Sequence, residues 1–122
     1  MNTKIVDASV MAAWLFGEPR RDEAFEMMDE SRLFAPELLT YELSNVALIK
    51  TLQNPEQEEN IRSNFDQLFH LEELQFVHVD FQSVLSLALD KSLTTYDASY
   101  LHLSRALEVP LLTFDQELKK HV

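Results

Sequence analysis

Short apolar runs alternate with stretches of helical spacing along this chain, and acidic residues stand at several of the junctions. Residues 4–7 read as a short buried strand, followed by a helix over about 9–16 that Gly17 and Pro19 stop. Residues 20–31 read as a second helix, with Ala24, Phe25, Met27 and Met28 on its inner side. Residues 33–35 are strand-like. Pro36 suits the first turn of the next helix, where its missing N–H would be unpaired anyway, and that helix runs to about Gln53. Asn54-Pro55 starts a fourth helix that buries Ile61, Phe65, Leu68 and Phe69. Residues 75–79 form another strand, and 80–91 a helix largely covered by Val84, Leu85, Leu87, Ala88 and Leu89. The last long helix spans 96–108 and the last strand 109–114. Such alternation predicts an α/β fold of three layers, a central parallel sheet of about four strands with helices on both faces.

Composition narrows the class. At 122 residues and 46% apolar content, one domain over 1–122 with its own core is expected. The absence of Cys excludes disulfides, thiol catalysis and cysteine metal sites, and fits a reducing cytoplasm. The longest apolar stretch, 8–17, is too short to span a membrane and lacks the flanks of a secretory signal, so a cytoplasmic protein with no membrane partner is expected. A net charge of −11 opposes a broad nucleic-acid-binding face. The ten basic residues are scattered, with small groupings only at Arg20-Arg21 and Lys119-Lys120-His121.

The candidate chemistry lies in Asp7, Glu42, Asp97 and Asp115. Asp7 and Asp115 directly follow two predicted strands, which places them on the carboxyl edge of the sheet, where sites in open α/β folds form. From Asp97 the helix descends about 18 Å at ~1.5 Å per residue. The last strand climbs back about 20 Å at ~3.3 Å per residue, so Asp97 and Asp115 can share that edge. Leu38, Glu42, Asn45, Ile49 and Leu52 define one helical stripe, which Glu42 and Asn45 interrupt. A buried carboxylate is expensive unless paired or bound to metal, which singles out Glu42. Carboxylates gathered from distant segments suit a hard cation such as Mg²⁺ or Mn²⁺. Each acid also has a plainer role: Asp7 and Asp115 suit helix N-caps, and Thr94-x-x-Asp97 has the form of a capping box. His70, His78, His102 and His121 show no metal-ligand spacing.

Residues 5–19, from Ile5-Val6-Asp7-Ala8-Ser9 to Gly17-Glu18-Pro19, resemble the N-terminal motif of PIN-domain proteins, especially VapC-type toxins of toxin–antitoxin pairs. Thr94-Thr95-Tyr96-Asp97-Ala98 together with Leu112-Thr113-Phe114-Asp115 resembles their C-terminal motif, and residues 35–46 look like the segment bearing the family's Glu, here Glu42. The resemblance implies a metal-dependent ribonuclease whose quartet falls on Asp7, Glu42, Asp97 and Asp115, with Asp7 and Asp97 closest to the Mg²⁺ or Mn²⁺. It gives Ser9 and Thr113 accessory places, and Asn45, which shares the stripe with Glu42, is a third accessory candidate; an RNA substrate, a cognate antitoxin and a homodimer are the expected partners. Glu108 departs from it, standing where the family often has a helix-ending Gly. A non-catalytic PIN-like module that binds a protein or RNA is the alternative, favoured by the poor supply of basic residues. A phosphoacceptor receiver domain shares the length and sheet class, but the chain lacks its paired acids after strand one.

Overall fold

The computed structural model describes residues 2–122; Met1, the first residue of the expected domain, lies outside the described residues. Strand β1 (Asn2–Val6) leads through Asp7 into α1 (Ala8–Leu15), and α2 (Arg21–Met28) precedes β2 (Ser31–Ala35). Helix α3 (Leu38–Gln53), a 3-10 turn, α4 (Glu58–Asp66) and a second 3-10 turn lead to β3 (Leu74–Phe76). Helices α5 (Phe81–Lys91) and α6 (Thr95–Leu107) precede β4 (Leu111–Leu112) and the short α7 (Gln116–Lys119). The strands form one parallel sheet in the order β3-β2-β1-β4, flanked by helices as expected of α/β alternation. β1 pairs with β2 from Asn2–Ser31 to Ile5–Phe34 and with β4 at Ile5–Leu111 and Val6–Leu112. Ile5 and Val6, hemmed by strands on both sides, are fully buried. Strand order runs outward from β1 toward β3 and then reverses to β4, so the crevice at the carboxyl ends of β1 and β4 is the switch point.

The last two strands are shorter than the apolar runs suggest, for different reasons. Residues 75–79 give only Leu74–Phe76, because β2 stops at Ala35 before Pro36; Val77 makes one further bond, to the Ala35 carbonyl. Residues 109–114 give only Leu111–Leu112. Val109 N–H caps α6 through the Ser104 carbonyl, Pro110 has no N–H, and Phe114 N–H turns to the Ser9 hydroxyl. The second helix ends at Met28 rather than Ser31: Glu30 adopts a left-handed φ of 55° and Ser31 opens β2. The fourth helix is split by its 3-10 turns, Pro55–Gln57 and Gln67–His70.

Several expected inner faces are corrected too. Phe25, Phe69, Leu85 and Leu89 are exposed, while Ala24, Met28, Ile61, Leu68, Val84 and Ala88 are buried. On α3 the core takes Leu39 and Leu43, one position round from the stripe through Leu38 and Glu42, and Ile49 and Leu52 face solvent. No helix among the described residues is long and apolar enough to cross a membrane.

Helix α6 ends on Glu108, at φ 55° and ψ 47°, without the glycine that this conformation favours. A side chain there costs about 1–2 kcal/mol, and glycine's extra unfolded-state freedom returns about 0.5–1 kcal/mol of that. Glu108→Gly is expected to stabilise the fold by about 0.5–1 kcal/mol, read as a higher urea midpoint. A lowered midpoint would contradict this account of the helix end.

Candidate active site

Asp7 sits at the switch point because β1 ends beside β4, and it is buried although charged side chains avoid that state. Three donors hold it. Its Oδ1 accepts from the Ser9 hydroxyl at 2.7 Å and from the Val10 N–H at 3.1 Å, and its Oδ2 accepts from the buried Thr113 hydroxyl. The bond to Val10 makes Asp7 the N-cap of α1, so the capping role is real, but a cap needs only one of these contacts. Ser9 in turn accepts from the Phe114 N–H at 2.9 Å, and Thr113 accepts from the Asp115 N–H at 3.0 Å. Ser9 and Thr113 thus stitch the end of β1 to the end of β4.

The other acids arrive from separate helices. Asp115 caps α7, its Oδ1 accepting from Glu117 and Leu118 N–H groups and its Oδ2 remaining free among the described residues. Asp97 lies in the first turn of α6, whose N-cap Thr94 accepts from the Asp97 N–H at 3.1 Å. Its own carboxylate makes no hydrogen bond or ion pair among the described residues, so the reciprocal half of a capping box is absent. Glu42 is half-buried rather than enclosed, and its Oε1 accepts from the Tyr100 hydroxyl at 2.5 Å. Asn45 is exposed on α3 and makes no hydrogen bond to the four acids among the described residues.

Electrostatics draw these carboxylates into one field. Burial, the largest cause, pushes Asp7 above its ordinary pKa of 3.8, and the donors from Thr113, Ser9 and Val10 only partly oppose it. Glu42 is raised by burial and by the charges of Asp7 and Asp97, while the Tyr100 hydroxyl pulls it back. Asp97 is raised by burial and by the charges of Asp115 and Asp7. Tyr100, buried beside Glu42, is held protonated far above its ordinary range, so its hydroxyl keeps the proton that it donates to Glu42. No Lys or Arg pairs with any of the four among the described residues.

The donor set is all oxygen, with free oxygens on Asp97, Asp115 and Glu42, which fits a hard divalent cation. As the side chains stand, no group of three or more His, Cys, Asp or Glu among the described residues converges to ligating distance. The four acids share a field across a crevice rather than a ready cage, Asp7 being drawn back by its three donors. They line no part of the apolar pocket of about 330 Å³ between α1, α2 and the start of β2, which includes Trp14, Phe25 and Leu33.

Tyr100, bonded to Glu42, is the candidate-site residue that sequence reasoning missed. Its signal was available: it lies three residues after Asp97 on α6, hence on the same face, and a buried tyrosine hydroxyl needs a partner.

Comparison with known proteins agrees with this fold. The family model described as PIN domain matches residues 4–122. Ribonuclease VapC1 of Mycobacterium tuberculosis (strain H37Rv) is 31% identical over 119 residues, covering 97% of this chain and 90% of the relative. The crystal structure of PAE2754 from Pyrobaculum aerophilum superposes with a TM-score of 0.78 at 21% identity, over 99% of this chain and 86% of that one. VapBC2 from Rickettsia felis, solved bound to a DNA fragment from its promoter, gives 0.64 at 12% identity, over 97% and 92%.

The raised carboxyls have a signed consequence. A group whose pKa rises on folding stabilises the fold in its protonated form; that contribution is complete below the ordinary value and lost as pH climbs through the raised one. In EDTA, stability should therefore increase as pH falls from neutrality toward the raised values of Asp7, Glu42 and Asp97. Glu42→Gln should flatten part of that dependence in urea melts across the pH range. A pH profile identical to the parent's would remove Glu42 from the shared field.

Proposed function

Because this chain belongs to the PIN-domain family, homologous to VapC-type toxins of toxin–antitoxin systems, we propose that it is a metal-dependent endoribonuclease, the toxin of such a pair. The observation that carries the reading is the mutual field of Asp7, Glu42, Asp97 and Asp115 at the β1–β4 switch point, with no basic partner among the described residues. Asp7, Asp97 and Asp115, with Glu42 at the rim, would hold Mg²⁺ or Mn²⁺. Bound there, such an ion supplies positive charge to the scissile phosphate and acidity to a water. Ser9 and Thr113 fix the orientation of Asp7, a supporting role whose loss in metal sites costs about 10–100-fold. Glu42, with Oε2 free and its pKa raised, takes the proton of the attacking water, and Tyr100 holds it in place. The water oxygen bonds to phosphorus as the phosphorus–oxygen bond to the departing strand breaks, and the departing oxygen takes a proton from solvent. Asn45, exposed three residues beyond Glu42 on the same helix, would keep its accessory role by touching the RNA.

The cytoplasm is the compartment this reading expects, with RNA as substrate and a cognate antitoxin as regulator. Homodimerisation would cover part of the apolar ladder Phe81, Leu85 and Leu89, which is exposed along α5 at intervals of four. The net charge of −11 favours the second reading, a non-catalytic binding module.

Purified protein freed of antitoxin is expected to cut cellular RNA with Mg²⁺ or Mn²⁺ present and not in EDTA. Asp7→Asn and Asp97→Asn should each lower the rate by more than the ~100-fold upper range for supporting residues. Cleavage that persists equally in both variants would reveal a contaminating nuclease. Inactivity on every RNA class, with metal bound, would select the binding module.

A further inference from the structure

Four polar side chains lie together in a cleft of about 300 Å³ where the end of α1 and the start of α2 meet α4. Arg21 stands on one wall and Asn60, Asn64 and Gln67 on the other, spaced so that they share one face of α4 and the turn after it. Among the described residues none of these side chains makes an internal hydrogen bond, and Arg21 has no ion pair. Among the described residues no acidic one lines the cleft, which is unusual on a chain of charge −11. Gly17 closes one end, and its left-handed φ of 67° turns the chain back toward Arg21.

This cleft is tied to the acidic crevice. Arg20, the neighbour of Arg21, stacks its guanidinium 3.7 Å over the ring of Phe114, the residue before Asp115. Glu23 fixes that guanidinium through two bonds of 3.0 and 2.8 Å, and Lys119 contributes its charge at Glu23. Arg20 and Lys119, nearly a hundred residues apart in sequence, thus both act on Glu23, beside the segment that leads into Asp115.

We propose that the cleft is a subsite for single-stranded RNA, with Arg21 binding a phosphate and Asn60, Asn64 and Gln67 binding phosphate and base edges. The assignment rests on the ribonuclease reading. Guanidinium forks and carboxamides are the groups that read phosphates and base edges. Single strands present those edges free of pairing. The volume lies at the small end of ligand-sized pockets, which admits a nucleotide and excludes a duplex. The largely polar lining gives an amphipathic peptide helix no apolar groove to fill.

Trp14, the single tryptophan of the chain, also lines the cleft, so its emission reports occupancy without any turnover. The experiment titrates a short single-stranded RNA oligonucleotide into the full chain in EDTA, following Trp14 fluorescence. A saturable change is expected, weakened about tenfold by Arg21→Ala and several-fold by Asn64→Ala, both at positions whose side chains make no internal hydrogen bond. With Mg²⁺ restored, Arg21→Ala should raise KM and leave kcat in place. An unresponsive Trp14, equal affinity in both variants, or a response to an acidic peptide and not to RNA would each overturn the subsite. Failure of the ribonuclease reading is distinguishable: it would abolish cleavage while the RNA-dependent emission change and its loss in Arg21→Ala remained.

Discussion

The structure turns on one buried carboxylate. Asp7 is removed from water at the place where the central strand ends, a position that costs a charged group several kcal/mol. Hydrogen bonds to a charged group offset about 1.5–3 kcal/mol each. Their donors come from α1 and from the far end of the chain, at Thr113. The two hydroxyls that bond Asp7 also take the Phe114 and Asp115 N–H groups, and β4 is two residues long. Satisfying Asp7 therefore shapes the crevice, docks the last strand and places Asp115 beside it.

Charge organisation follows from that choice. Most basic side chains that form ion pairs do so locally, as Arg20 with Glu23, Arg62 with Glu58 and Lys120 with Glu117. Among the described residues none is directed at Asp7, Glu42, Asp97 or Asp115. Two carboxylates about 5 Å apart at an effective dielectric of ~20 repel by roughly 3 kcal/mol. Unrelieved repulsion of that size is a large share of the marginal stability of a small domain, and on the proposed reading a divalent cation would relieve whatever part of it the four acids carry.

Much of this was legible beforehand. The junctions at Asp7 and Asp115 could be placed because a strand followed directly by a helix puts its last residue on the carboxyl edge of a parallel sheet. Thr94 and Asp97 showed their helix start through capping spacing. Exposure was harder to read: Phe25, Leu85 and Leu89 have the period of a buried face yet point outward, because periodicity locates an apolar stripe without saying what covers it. The stripe through Glu42 misled similarly, since α3 packs on Leu39 and Leu43 and leaves Glu42 at the boundary. Tyr100 and the contact of Arg20 with Phe114 depend on packing between distant segments, which spacing alone does not encode.

The central claim is that the four acids act as one cation site, and direct binding of Mn²⁺ tests it without reference to any RNA. Electron paramagnetic resonance of Mn²⁺ titrated into EDTA-stripped, dialysed protein would count bound ions from the loss of the free-ion signal. The account predicts a saturable site that Asp7→Asn and Asp97→Asn each weaken strongly, while a change at a distant acid such as Glu73 leaves it intact. Equal Mn²⁺ binding in all four proteins would contradict it.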